Sequence, residues 1–321
     1  MTRESRRSAS SNASYESWYL KASHPSEPLG VWIRYTTHQK PGGAEHGSLW
    51  FTLFGPEPSA AKVTLGPEAL SRGGRQFIRI GESMFADGRV KGSALGATWD
   101  LTFAHPEPEL RHLPRDWMYR APVPRTKLVA PFPAARFSGK VRFGERVVQL
   151  DGWPGMVGHN WGAEHAERWI WIHGASFNGR GQDTWLDIAI GRIKIGPWTT
   201  PWIANGVVSL DGERRRVGGI ERARATRIDE HADHANFKVP GAGFTITGNV
   251  SAPRERFVGW IYADPDGTAH HTVNCSIARM KLTVARAGLA PLELATSYGG
   301  AYELGMRESD HGMSIQPFPD G

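Results

Sequence analysis

Between Gly158 and His173 the chain carries His159, Asn160, Glu164, His165, Glu167 and His173, interleaved with Trp161, Trp169 and Trp171. Imidazole and carboxyl groups are the side chains that most often move protons near neutral pH. Indoles supply an apolar wall for a small molecule. From Glu167 the residues alternate, with Glu167, Trp169, Trp171 and His173 on one side and Arg168, Ile170 and Ile172 on the other, the period of a strand. If the aromatic side lines a cavity, burial raises the Glu167 carboxyl pKa and lowers that of the His173 imidazole. Glu167 is then a general acid and His173 a neutral base or hydrogen-bond donor. At roughly 3.3 Å per residue the two stand about 20 Å apart, so they cannot form one dyad. His173 is expected deep beside the indoles and Glu167 at the rim, with Asp187 or Glu303 bringing a second group from another strand. The competing reading of Glu167 is an ion pair with Arg168 or another arginine, facing water.

His159 and Asn160 fall in a turn bracketed by Gly158 and Gly162, where glycine permits close approach of another element. Both suit hydrogen bonding to a substrate carbonyl or hydroxyl. Asn160 equally suits bridging its own turn, and Trp161 suits plugging a barrel end. His159, His165 and His173, with Glu164 or Glu167, are ligand types for Zn²⁺ or Fe²⁺. Their spacings of six and eight residues match no recognised metal pattern, so no metal is expected. His270, His271, His231 and His234 read as hairpin and loop residues.

The elements that must position these groups are strands. Val31, Ile33 and Tyr35 alternate with Trp32, Arg34 and Thr36. Leu49, Phe51 and Leu53 repeat the pattern, as do Trp99, Leu101 and Phe103, and later Trp185, Asp187 and Ala189. Further strands are predicted at 244–250, 257–263, 272–284 and 301–307, with turns at Asp87-Gly88, Asp211-Gly212 and Asp264-Pro265-Asp266-Gly267. Helical periodicity is confined to 67–71. The fold class is all-β. Pro106, Pro108, Pro114, Pro122, Pro124, Pro131 and Pro133 mark a boundary, since interior strands reject proline. The expected organisation is a disordered tail (1–13), a first barrel (14–125), a linker (126–132), a second barrel (133–307) and a tail (308–321).

Composition narrows the partners. The net charge of +6 is spread among acids, and Arg214, Arg215 and Arg216 read as a solvated hairpin rim. No basic stripe interleaved with exposed aromatics appears, so nucleic acid is not expected. Cys275 is the only cysteine, which excludes an internal disulfide. The N-terminal stretch lacks the apolar core of a signal peptide, and no apolar run is long enough to span a membrane. A cytoplasmic location without stable membrane insertion is expected.

Three motifs resemble the double-lipocalin superfamily of carotenoid 1,2-hydratases (hydroxyneurosporene synthases), tocopherol cyclases and lipocalin-like Diels–Alderases. Glu16-Ser17-Trp18-Tyr19 resembles the family's opening strand. Gly158-His159-Asn160-Trp161-Gly162 followed by Trp169-x-Trp171 resembles its Asn-Trp-Gly and Trp-x-Trp element. Tyr298-Gly299-Gly300-Ala301-Tyr302-Glu303 resembles its closing strand. The resemblance implies two tandem lipocalin-like antiparallel β-barrels, no cofactor, and a pocket for a hydrophobic isoprenoid or polyketide-type substrate. In hydratase-like members an acid often precedes the motif histidine; here that position is Gly158, leaving Glu164, Glu167 or His173 as substitutes.

The resulting expectation is a cyclase, isomerase or hydratase working by acid–base catalysis in an apolar pocket at the barrel interface and the second barrel's mouth. His173, Glu167, His159 and Glu164 are the proton-transfer candidates. Asn160, Trp161, Trp169, Trp171, Asp187, Tyr302 and Glu303 are the substrate-binding candidates. A non-catalytic carrier of the same ligand is the alternative, since a carrier needs only shape and apolarity.

Overall fold

The period-two segments form two curled antiparallel sheets in a computed structural model, which describes residues 13–71, 76–309 and 311–321. The expected tail over 1–13 lies outside the described residues except for Ala13. The first sheet runs through Ser59–Leu65, Glu45–Phe54, Gly30–Gln39, Ser14–Ser23, Arg146–Gly162, Thr126–Phe143, Ala97–Ala104, Arg89–Ala94, Ser83–Ala86, Gln76–Ile80 and Leu70–Ser71. Its curl brings the two ends together, so that a Cβ on Gly47 would lie 2.5 Å from Leu70 and 2.8 Å from Ile80. Alternate residues fill the interior, among them Trp18, Leu20, Ile33, Phe51, Trp99 and Phe137.

The second sheet runs through Glu213–Gly218, Ile203–Leu210, Trp185–Arg192, Arg168–Gly174, Leu292–Met306, Ala269–Arg286, Phe244–Ser251, His234–Pro240 and Arg227–Glu230. Val258–Ala263 pairs onto the start of Ala269–Arg286. Its core takes Ile170, Ile172, Ile188, Phe237, Val273 and Leu304. The helical periodicity expected near 67–71 is one 3₁₀ turn, Pro67–Ala69. No helix among the described residues is long and apolar enough to cross a membrane.

The domain boundary differs from the expected one. Residues 126–143 and 146–162 are the central ladder of the first sheet, and the chain passes to the second sheet over residues 163–167. The prolines mislead because two of them sit inside a ladder at places where pairing slips. Register with the neighbouring strand shifts between Val129 and Phe132 and again between Phe132 and Ala135, bracketing Pro131 and Pro133. Such bulges remove the demand for an amide hydrogen that proline lacks. Arg214 and Arg216 also depart from the expected solvated rim, because they bind Glu107, Pro108 and the carbonyls of Arg111 and His112.

The outward faces of the sheets pack on one another. Trp32 and Trp50 of the first sheet meet Trp260 of the second at ring-centroid distances of 5.5 and 5.1 Å. Burying an indole of roughly 200 Å² at about 25 cal/mol/Å² contributes about 5 kcal/mol to folding, and here three indoles are buried against one another where the sheets meet. The C-terminal segment, expected as a tail, adds to it. Ile315 bridges Gly259, Phe318 lies 4.4 Å from Trp260, and Gly321 exchanges backbone hydrogen bonds with Lys62 and Thr64.

Candidate functional site

The alternation read from Glu167 to His173 is present, and it sorts the strand between two environments. Ile170 and Ile172 enter the second barrel's core, while Trp171 and His173 face the first sheet. His173 donates from Nε2 to the Pro133 carbonyl at 3.2 Å and stands opposite Asp187. Burial, and then the nearby Lys21 ammonium, press its pKa down to about 3. Trp171 donates to Asp187 Oδ1 at 2.9 Å, and His112 Nε2 lies 3.3 Å from the same oxygen. Burial alone would raise the Asp187 carboxyl, but the neighbouring His112 imidazole, and then His173 and the Trp171 N–H, hold it below its usual range. Lys21 donates to Ser23 Oγ and the Gly299 carbonyl, and burial lowers its pKa to about 7. His173 and Asp187 are each 0 % exposed and Trp171 5 %, so this network is sealed between the barrels.

The other expected residues are dispersed. Glu164 pairs with Arg125 at 2.5 Å and with Arg307 at 3.4 Å, and Glu167 pairs with Arg307 at 3.3 Å. His159 lies in the first sheet, bonded to Glu16 Oε1 at 2.9 Å and stacked between Trp18 and Trp161 at 3.9 and 4.6 Å. Asn160 is the next residue of that strand, and its buried Oδ1 has no partner. Tyr302 is buried in the second core and donates to the His231 carbonyl. Gly158 is also explained. A Cβ there would lie 2.1 Å from the Tyr19 ring, so the room an acidic side chain would need is filled by that phenol.

The open site is a cleft of about 470 Å³ between the first sheet's outer face and the Val258–Ala263 strand. One wall follows from strand alternation. Arg34, Thr36 and His38 point outward from Gly30–Gln39, His46, Ser48 and Trp50 from Glu45–Phe54, and Lys62 and Thr64 from Ser59–Leu65. Lys40, Gly43 and Ala44 follow the first of these strands, and Ile261, Tyr262, Ala263, Tyr15 and His165 complete the lining.

His165 comes from the 163–167 connection. Its backbone N and its Nδ1 both donate to Asp264 Oδ1, at 2.8 and 2.6 Å, and its ring stacks on Tyr15 at 4.2 Å. His270 Nε2 donates to Asp264 Oδ2 at 2.9 Å. Burial would raise the Asp264 carboxyl, yet these donors hold it well below its usual range. Burial outweighs the aspartate's pull on His165 and lowers its pKa to about 4. His165 is therefore neutral near pH 7. With Nδ1–H given to Asp264, the lone pair resides on Nε2, a buried atom with no partner.

Arg34 is 4 % exposed. It donates twice to Ser17 Oγ, at 3.0 and 2.8 Å, and lies 4.0 Å over the Tyr262 ring. Among the described residues it has no carboxylate in ion-pair contact. The Tyr262 hydroxyl donates to Glu303 Oε2, which Asn274 also reaches, while Trp169 donates to Oε1. Burial raises the Tyr15 phenol, whose hydroxyl bonds Thr126 Oγ1 at 2.8 Å. The cleft thus joins a neutral, oriented imidazole, an arginine free of carboxylate partners and two protonated phenols. Of the expected residues only Trp169 and Glu303 stand directly behind it.

His165, Asp264 and His270 also place their donor atoms within 4.8 Å of one another, a set that suits a divalent metal. Both imidazoles already meet the carboxylate at hydrogen-bond distance, so a metal would have to displace both protons. Their far nitrogens, His165 Nε2 and His270 Nδ1, are unpartnered, whereas metal-bound imidazoles usually anchor that second nitrogen. The hydrogen-bonded triad is the better account. Asp264 and His270 were read from the sequence as turn and hairpin residues only. The available signal is an acid opening a hairpin whose far strand, Ala269–Arg286, carries His270 as its second residue.

No family model matches the chain. An uncharacterized protein of Mycobacterium tuberculosis, found in two strains, is 26 % identical over 253 residues, covering 78 % of this chain and 75 % of that protein. A protein assigned as AttH from Nitrosomonas europaea superimposes with a TM-score of 0.57 at 14 % identity, over 95 % of this chain and 96 % of that one. Kievitone hydratase from Nectria haematococca does so with a TM-score of 0.55 at 10 % identity, over 90 % and 88 %. These likenesses show the fold. The chain is built as two lipocalin-like barrels in tandem.

Proposed function

We propose that the inter-barrel cleft is the active site of a cofactor-independent hydratase or cyclase acting on a hydrophobic isoprenoid or polyketide-type molecule. The observation that carries this reading is His165, fixed by Asp264 and neutral, lining the same cleft as the arginine Arg34. A neutral imidazole can take a proton from water, or from a hydroxyl of the substrate, as the oxygen adds to one carbon of an activated double bond, and then return that proton to the other carbon, so that H and OR are added and the imidazole is restored. Arg34 can hold the negative charge that develops on a conjugated carbonyl. The same groups can run the reverse elimination or shift a double bond. The resemblance to kievitone hydratase in fold supports a hydro-lyase over other chemistry on the same groups.

A carrier of the same ligand would need no oriented base and would gain nothing from a buried arginine that lacks a carboxylate partner, whose desolvation is unfavourable until an anion arrives. Turnover separates the two. Prenylated α,β-unsaturated ketones incubated in oxygen-labelled water should gain labelled oxygen with the parent protein. His165→Gln should slow this by about 10²- to 10⁴-fold while leaving ligand binding intact. Binding without label incorporation by the parent protein, or full incorporation by His165→Gln, would reject the proposal.

A further inference from the structure

The cleft was expected to be apolar, and its lining is not. Arg34, Lys40, Lys62, His38, His46 and His165 contribute to it, and among the described residues no aspartate or glutamate does. Three of the six share one alternation, since Arg34 and His38 project from the same face of one strand with Lys40 just beyond its end, while His46 stands directly opposite His38. Hydroxyls fill the steps between, from Thr36, Ser48 and Thr64, with Ser48 Oγ and Thr64 Oγ1 bonded at 2.9 Å. The apolar surface lies at the other end of the wall from Lys40 and His46, where Trp50 faces Ile261 and Tyr262 and Arg34 lies over both aromatic rings. Lys62 is partly engaged, lying 3.2 Å from Asp320 and 4.5 Å over the Trp50 ring. His38 Nε2 is buried without a partner.

A strand face that repeats cation, hydroxyl, imidazole and cation presents a row of groups able to donate, with no carboxylate among the described lining residues to compete. Carboxylate and phosphate oxygens satisfy such a row, and a neutral ligand would leave its charges unmatched. We infer that the ligand of this cleft is amphiphilic and acidic. Its anionic oxygens lie along His38, Lys40 and His46, and its hydrocarbon part lies against Trp50, Ile261 and Tyr262. This rests on the cleft being the site proposed above and adds the charge of the substrate to that reading.

Paired probes test it by calorimetric titration of the full chain. Oleate is compared with methyl oleate for a carboxylate source, and farnesyl diphosphate with farnesol for a phosphate source. In at least one pair the acid should bind about tenfold tighter than its neutral partner, an advantage that shrinks as salt rises. Lys40 and His46 are exposed, so the Lys40→Met, His46→Gln double variant should fold normally. It should lose most of that advantage while keeping its affinity for the neutral probe. Equal affinities within both pairs, no binding of any acid, or an acid preference untouched by the double variant would each overturn the inference. These measurements read binding alone, so their failure leaves the His165 turnover test standing. A turnover failure likewise leaves the charge preference measurable.

Discussion

Acidification should weaken this protein through its buried bases, and the size of the effect follows from their surroundings. An unfolded histidine titrates near 6.5, whereas in the folded chain burial lowers His165 to about 4 and His173 to about 3. Both groups therefore contribute stability that is fully present above about pH 6.5 and is lost as pH falls toward the folded values. Between about pH 6.5 and 4 the unfolded chain binds two protons that the folded chain refuses. That gives a slope of about 3 kcal/mol per pH unit. Going from pH 6.5, where the unfolded imidazoles are already half protonated, to pH 5 then removes roughly 3 kcal/mol, a large share of the roughly 5–15 kcal/mol typical of a folded domain. Lys21 extends the trend upward. Its folded pKa of about 7 lies below the unfolded value near 10.4, so stability should keep rising from about pH 7 toward 10. Urea unfolding across about pH 5 to 9 measures the slope directly. His173→Gln, which keeps a donor for the Pro133 carbonyl, should cut the acid-side slope by about half. A flat profile below pH 7, or an unchanged slope in that variant, would refute the argument.

Other outcomes follow from single contacts. Asp264→Asn turns an acceptor of three hydrogen bonds into a group that donates at one end, and should cost about 3–5 kcal/mol in a stability assay. Gly158→Asp must expel the Tyr19 ring and should lower stability by more than about 2 kcal/mol rather than create a working acid, as thermal unfolding and turnover together would show. Arg34→Met should slow hydration of a conjugated ketone by about 10²- to 10³-fold in a turnover assay while sparing its binding, because the charge it would hold develops only as the bond reacts. Adding Zn²⁺ should leave the thermal midpoint unchanged; a rise would reassign His165, Asp264 and His270 as a metal centre.

The sequence exposes what depends on local periodicity and hides what depends on which faces meet. Alternation through 31–36, 49–54 and 169–173 is enough to place strands and give the all-β class. It also separates Ile170 and Ile172 from Trp169, Trp171 and His173. It cannot say that Trp171 and His173 pack against another barrel, because that is settled by Lys21 and Pro133 from distant strands. Prolines were weighed as breakers, and only a ladder with slipped register could hold Pro131 and Pro133. The cleft wall was partly legible, since Arg34, Thr36, His38 and Lys40 alternate in plain view. Its partner was not, because Asp264 looks like any residue that opens a turn. The dyad forms only when the 163–167 connection folds back onto that turn.

That connection has a consequence for recombination. Arg34 and Tyr15 belong to the first barrel, Asp264 and Tyr262 to the second, and His165 to the few residues joining them, with its own backbone amide tied to Asp264. Neither barrel is a cassette that carries the chemistry. A chimera with a relative of the same fold would need its crossover before residue 163, so that His165 travels with the acid that orients it. It would still inherit the other parent's cationic wall. Shuffled halves of such proteins should therefore change substrate preference at one junction and lose catalysis at another only a few codons away.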